Sequence, residues 1–305
     1  MAVEEDVRLP VIGVLGVGIM GGEMAVALRA RGYPVLGFDP APAAMARLSA
    51  CAGEPLASAA EVARRAEVVI VSVASTRALQ ASAESIAAAA PDRTGAPPVV
   101  IETSTLPLAD KQRAFDALAQ VGVPVLDCPI SGTAVRMKER AWTIFVSGDP
   151  AVCTRIDPVL EVFADNRPYV GDYGNGSRMK LAANHLVAIY NVAYGESMTF
   201  CRKMGLDPAQ VLALFGASPV LGTGVLRLRG RMMVEREYQP PTMKVEVWQK
   251  DMQVIGDEAK QLGAPTPVFD ACRAIYTAAM AQGLGGHDTA STCEVLGRMA
   301  GIPGK

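Results

Sequence analysis

The run Gly16-Val17-Gly18-Ile19-Met20-Gly21 constrains this chain more than any other stretch of its 305 residues. It follows an apolar segment, 11–15, and opens an Ala-rich, helix-compatible stretch, 21–31. A second apolar segment, 35–38, then ends on Asp39. Strand, glycine turn, helix, strand and acid fall in the order of a dinucleotide-binding βαβ unit. Each glycine has its own steric task. Gly16 makes the tight turn, Gly18 lets a pyrophosphate approach the backbone, and Gly21 allows close helix–strand packing. Free N–H groups and the positive end of the helix dipole suit Val17, Ile19 and Met20 to phosphate. Asp39 lies 39 − 21 = 18 residues past Gly21, near the expected spacing of about 20, where its carboxylate accepts from both ribose hydroxyls. A carboxylate there repels a 2′-phosphate, and Pro40 stands where a phosphate-binding Arg would otherwise follow. NAD is therefore the expected cofactor, with NADP admitted only if Arg47 or another basic group swings in.

The unit repeats its pattern. Further apolar segments at 68–73, 99–102, 124–127 and 143–146 alternate with helix-compatible stretches at 43–50, 58–65, 78–90 and 108–121. Such alternation predicts an α/β fold, a parallel sheet covered on both faces. After Gly148 the character changes. A helix is expected over 149–163, a break at Gly174-Asn175-Gly176, and one long helix from Ser177 to about Met204. Helices punctuated by Gly and Pro then follow to 299. At about 150 residues per domain the length predicts two domains.

Composition excludes several classes. Lys and Arg number 29 against 31 Asp and Glu, a formal net charge of −2, so no overall attraction draws the chain to nucleic acid or anionic membrane. No apolar run reaches the roughly 18 residues of a membrane span. The acidic start MAVEEDVRLP does not read as a signal peptide. Six scattered cysteines form no CxxC element and suit a reducing cytosol. A soluble cytoplasmic protein is expected.

Only two histidines are present, His185 and His287, and neither is favoured as the proton-transfer group. The absence of a Cys/His cluster argues against a catalytic metal, and the absence of G-x-S-x-G against a hydrolase. The better candidate is Lys180. With Asn184 it forms an i, i+4 pair projecting from one helix face just after the glycine hinge. A buried lysine, its pKa lowered toward neutrality, can protonate a carbonyl oxygen as hydride arrives, and the Asn amide can hold that oxygen. By spacing alone an exposed lysine is the commoner case; position after the hinge reverses that. Ser131-Gly132-Thr133, at the end of a predicted strand, offers two hydroxyls and a run of N–H groups suited to a carboxylate, although such a turn can also be merely polar. Lys250, beside Trp248 on a late helix, either is solvated or reaches cofactor or substrate. Arg136, Lys138 and Arg140 read as a solvated loop.

Together these motifs resemble the β-hydroxyacid dehydrogenase family nearly end to end. The resemblance rests on the glycine loop with Met24-Ala25 and Leu28, on Glu102-Thr103-Ser104-Thr105-Leu106-Pro107 and on Asp127-Cys128-Pro129-Ile130-Ser131-Gly132. It continues through Gly174-x-Gly176-x-x-x-Lys180-x-x-x-Asn184, Lys250-Asp251 and Asp288-Thr289-Ala290. It implies a Rossmann-type domain over 1–174, then a domain over 175–305 that starts with a long interdomain helix, is otherwise all helical and serves in oligomerisation. The implied activity is NAD(P)-dependent interconversion of a small β-hydroxycarboxylate and its semialdehyde, in a homodimer or homotetramer. By position it implies Lys180 as proton donor or acceptor, Asn184 as substrate anchor, Ser131, Gly132 and Thr133 as the carboxylate loop, and Thr105 and Lys250 on the cofactor side. Thr133 stands where many members have Gly, and Arg136-Met137-Lys138-Glu139-Arg140 replaces a Gly-rich stretch, which alters the pocket edge. Two rival readings are imine reduction on the same architecture, against which Lys180 counts, and a non-catalytic dinucleotide-binding module.

Overall fold

A computed structural model describes residues 8–304; the side chains of Arg136 and Lys138, two members of the basic loop, lie outside the described residues. The chain divides into two compact units, Met1–Lys180 and Leu181–Lys305.

Unit one is built on six parallel strands: β1 (Ile12–Leu15), β2 (Val35–Phe38), β3 (Glu54–Pro55), β4 (Val68–Val71), β5 (Val99–Glu102) and β6 (Val125–Asp127). Their spatial order is β3-β2-β1-β4-β5-β6, the doubly wound Rossmann order, whose direction reverses between β1 and β4. Register is exact along the centre, with Ile12 opposite both Val35 and Val68 and Leu15 opposite both Phe38 and Val71. The period of two sends Ile12, Val14, Val35, Ile70 and Ile101 into one buried layer and Leu15, Leu36, Val69, Val71 and Val100 into the other. Helices α1 (Ile19–Ala30), α2 (Pro42–Ala50), α3 (Ala59–Arg65), α4 (Thr76–Ala89) and α5 (Leu108–Ala119) connect the strands. Ser58 and Ser75 cap α3 and α4, accepting from Glu61 N and Ala78 N.

Two strand expectations are corrected. The two-residue β3 was not expected, since Glu54-Pro55 carries no apolar pattern; it pairs only at the sheet edge, with β2. Segment 143–146 does not extend the parallel sheet. Thr143–Ile144 is β8 of a two-stranded antiparallel pair with β7 (Ile130–Ser131). A parallel return needs a crossover, usually a full helix, and only a 3₁₀ turn over Ala134–Glu139 intervenes. In that loop Arg140 pairs with Asp165 at 2.6 Å. Helix α6 (Pro150–Leu160) starts at Asp149, which caps it.

Helix α7 (Asn175–Lys203) is unbroken over 29 residues, so Gly195 does not interrupt it; a Cβ there would come within 3.0 Å of the Cys293 backbone. Its first turns belong with unit one. Unit two comprises the rest of α7 with α8 (Pro208–Ala217), α9 (Gly224–Glu235), α10 (Val245–Gln261), α11 (Pro267–Ala281) and α12 (Thr292–Met299). Its core includes Met198, Cys201, Leu226, Met233, Tyr238 and Cys293. Buried Asp288 ties its loops, receiving Arg229 Nε at 2.9 Å, Thr242 N at 2.7 Å and Ala290 N at 2.9 Å. Among the described residues no helix is long and apolar enough to cross a membrane.

Candidate active site

The glycine loop follows β1 at the reversal point of the sheet, where open α/β sheets hold ligands beyond their carboxyl ends. Gly16 has φ +86°, and a Cβ there would lie 2.3 Å from Ser72 O, beyond the end of β4. At Gly21 a Cβ would fall 1.9 Å from Gly16 O, so helix and turn touch backbone to backbone. A Cβ at Gly18 would meet nothing within 4 Å among the described residues. That side of the loop is an open cradle. Helix α1 begins at Ile19 with no side-chain cap and no acid in its first turn, leaving its N–H groups to an anion. Asp39 directly follows β2. Its Oδ2 accepts from Val17 N at 2.9 Å and its Oδ1 from Ala41 N at 2.8 Å, while Arg47 Nη2 donates to Val17 O at 3.0 Å. Open cradle, uncapped helix start and oriented carboxylate fit a dinucleotide.

Thr105 is half-buried just past β5, and its neighbours are tightly bonded. Glu102 Oε1 accepts from Ser104 N at 2.8 Å, Thr103 Oγ1 donates to Val71 O at 3.0 Å, and Ser104 Oγ accepts from Val73 N at 3.0 Å.

Ser131, Gly132 and Thr133 form the exit of β7. Gly132 has φ +158°, and a Cβ on it would sit 2.3 Å from Trp142 Cδ1. Trp142, 1% exposed, lies beneath this turn and donates from Nε1 to Thr133 O at 2.8 Å. Thr133 Oγ1 is buried with no hydrogen-bond partner among the described residues. A ligand carboxylate would satisfy such a hydroxyl. Sequence reasoning missed Trp142; its signal was a lone tryptophan shortly after the Ser-Gly-Thr turn.

Lys180 is 8% exposed, on the second turn of α7. Asn184 follows one turn later and is also buried. In the second unit Asn184 Nδ2 donates to Asp251 Oδ2 at 2.9 Å, and Lys250 Nζ pairs with Asp251 Oδ1 at 3.0 Å. Asp251 thus gathers two residues singled out separately, a link invisible without the fold. His185 stacks on Phe269, ring centroids 5.1 Å apart, and His287 lies beside Tyr238 at 6.4 Å. Among the described residues no group of three or more His, Cys, Asp or Glu could hold a metal ion.

A second missed group lies under the first turn of α7. Lys111, 2% exposed, contacts Glu102 Oε2, Asp127 Oδ1 at 2.5 Å, Ser177 Oγ at 2.6 Å and Ser104 O at 3.0 Å. Burial alone would depress its ammonium, but Asp127 and Glu102 outweigh that and hold it above its usual value. Burial pushes the Glu102 carboxyl up, only partly countered by Lys111. The signal was a lysine on the apolar stripe of α5 with Ala114 and Leu118.

Comparison with known proteins agrees with this geometry. Residues 11–171 match the model of the NAD binding domain of 6-phosphogluconate dehydrogenase, and residues 174–296 that of the NAD-binding region of NADP-dependent 3-hydroxyisobutyrate dehydrogenase. The 2-hydroxy-3-oxopropionate reductase of Escherichia coli (strain K12) is 28% identical over 95% of this chain and 98% of its own length. An L-threonate dehydrogenase of Cupriavidus necator is 28% identical over 96% and 98%. The crystal structure of a 3-hydroxyisobutyrate dehydrogenase from Salmonella typhimurium superposes with a TM-score of 0.80, at 27% identity over 93% of this chain and 99% of that one. With both halves matched by family models and full-length relatives of one kind, the chain belongs to the β-hydroxyacid dehydrogenase family and is an NAD(P)-dependent oxidoreductase.

Proposed function

We propose that the chain interconverts a small β-hydroxycarboxylate and its semialdehyde, with NAD as preferred cofactor and Lys180 as general acid and base. The observation that carries this reading is a buried lysine on the second turn of α7, in a family of hydroxyacid dehydrogenases and reductases. When bound, the nicotinamide supplies or accepts the hydride at the substrate carbon. Lys180 Nζ gives its proton to the carbonyl oxygen in reduction and takes it back in oxidation. Asn184, one turn on, orients that oxygen. Ser131, Gly132 and Thr133 hold the carboxylate, for which the Thr133 hydroxyl, buried with no partner among the described residues, is the strongest support. Gly16, Val17, Gly18, Ile19, Met20 and Gly21 cradle the pyrophosphate, and Thr105 and Lys250 serve the cofactor side. Asp39 at the end of β2 supports NAD over NADP, since two carboxylate oxygens already oriented by N–H groups favour ribose hydroxyls over a phosphate.

In this reading residues 1–174 are the dinucleotide-binding domain and 175–305, starting with α7, the substrate and oligomerisation domain. Exposed Phe200, Leu214 and Val220 on unit two support a homodimer or homotetramer through that domain. Six free thiols support a cytoplasmic site of action, and the substrate is a small carboxylate, with no nucleic acid or membrane partner.

The test follows nicotinamide absorbance with NADH and NADPH separately, against glyoxylate, succinic semialdehyde, tartronate semialdehyde and methylmalonate semialdehyde. NADH oxidation by at least one is expected, and faster turnover with NADPH would overturn the Asp39 reading alone. Lys180→Ala should lose about 10²- to 10⁴-fold in kcat, the span of general acid–base catalysis, while NADH still binds. Wild-type turnover in that variant would overturn the mechanism.

A further inference from the structure

We infer that Lys111 and Ser177 are positioning residues for the reaction: one buried ammonium locks the cofactor-side segment 102–105 and the first turn of the helix carrying Lys180 into a single register. The inference rests on the proposed role of Lys180. On one side Lys111 Nζ donates to Ser104 O at 3.0 Å and pairs with Glu102, whose other oxygen accepts from Ser104 N at 2.8 Å. Thr105 follows directly. On the other side Lys111 donates to Ser177 Oγ at 2.6 Å and Asp127 Oδ1 at 2.5 Å. Asp127 in turn receives both donors of Ser177, N at 2.7 Å on Oδ2 and Oγ at 2.8 Å on Oδ1. Ser147 Oγ accepts from Gly176 N at 3.0 Å. The start of α7 is thus bonded by side chains to the end of β6 and the segment after β8.

Why this bears on chemistry follows from distance along the helix. Lys180 is three residues beyond Ser177, about 4.5 Å of axial rise. A shift or rotation at Ser177 passes to Lys180 undiminished, because the intervening turn is regular helix. Misplacing a catalytic group by about 1 Å can cost on the order of a hundredfold in rate. An apolar residue at 111 would fill the space, yet it would leave Asp127 and the Ser104 carbonyl without their shared donor. Stability alone is weak reason for such a cluster, since buried ion groups are often matched by well-packed apolar side chains. Register is what this arrangement supplies.

The experiment compares Ser177→Ala, Lys111→Met and Lys180→Ala with the wild-type enzyme, each checked for folding by circular dichroism, using NADH and the semialdehyde turned over fastest. Ser177→Ala removes one acceptor of Lys111 but leaves its bonds to Ser104 O, Glu102 and Asp127 in place, so kcat should fall about tenfold to a hundredfold while KM for NADH stays unchanged. Lys111→Met touches both sides, so kcat should fall and KM for NADH should rise. Folded Ser177→Ala with wild-type kcat, or with kcat and KM for NADH disturbed together, overturns the inference. If one variant is recovered unfolded, the other decides by its own pattern, and wild-type kcat in folded Lys111→Met overturns it equally. Lys180→Ala separates the two levels. Wild-type turnover there removes the reading beneath the inference, whereas an inactive Lys180→Ala beside normal Ser177→Ala and Lys111→Met removes the inference alone.

Discussion

Trp142 and Thr133 are joined at the turn proposed to hold the substrate carboxylate. The indole holds the Thr133 carbonyl at 2.8 Å and fills the space beside Gly132, while the Thr133 hydroxyl is buried with no partner among the described residues. Trp142→Phe keeps most of the packing and removes the donor. The orphaned carbonyl should cost about 1–2 kcal/mol. KM for the carboxylate substrate should accordingly rise about five- to thirtyfold with KM for NADH unchanged, as steady-state kinetics would show. Equal disturbance of both constants would argue that Trp142 merely supports the fold. At this scale the chain was unevenly legible. The glycines and Asp39 could be read because their spacing encodes backbone geometry locally. Lys111 and Trp142 could not, because their partners lie 16 and 66 residues away in Lys111–Asp127 and Lys111–Ser177, and, for Trp142, across a hairpin that no local pattern announced.

Among the elements, α7 carries Lys180, the proposed proton-transfer residue. Its start is set by Gly176, where a Cβ would lie 2.5 Å from Phe145 O and 2.6 Å from Asp127 O. Both atoms are backbone, so no side chain can give way. Gly176→Ala should force the helix start outward and cost on the order of 2–3 kcal/mol, lowering the urea midpoint and kcat together. Stability and turnover both at wild-type levels would mean that the close approach is not needed. The glycine pair was visible in sequence and read as a hinge-like break over 174–176 ahead of a helix from Ser177; the helix begins at Asn175. Small residues at 174 and 176 look like a hinge in one dimension. In three, Gly176 marks where the helix N-terminus meets the backbone of Asp127 and Phe145. The return of β8 as an antiparallel strand was illegible for a related reason, since an apolar segment does not state its direction.

For the molecule as a whole, two carboxylates held low by arginines contribute stability that acid removes. Burial would raise Asp288, but Arg229 and the N–H groups of Ala290 and Thr242 outweigh it, and its carboxyl is held below its ordinary 3.8. Arg236 likewise helps hold Glu294 below its ordinary 4.5 against burial. A group with a lowered folded-state pKa stabilises above its unfolded value, and that stability is lost as pH falls through the folded one. Thermal midpoints should therefore drop steeply below about pH 4. Asp288→Asn should flatten part of that slope while costing about 3–5 kcal/mol at neutral pH, because Arg229 is left buried without its partner; an unchanged slope would show that other carboxylates dominate.

The sequence by itself determined the α/β order of unit one, the glycine turn and the long helix, because periodicity, glycine sterics and local spacing are properties of neighbouring residues; the family came through the resemblance that the motifs carry. Only the tertiary structure decided that Asp251 gathers Asn184 and Lys250, that Trp142 underlies the Ser131–Thr133 turn, and that Lys111 joins Ser104, Asp127 and Ser177. Those are meetings of polar groups far apart in the chain. Each is favourable only where burial removes competing water, and burial is settled by the fold.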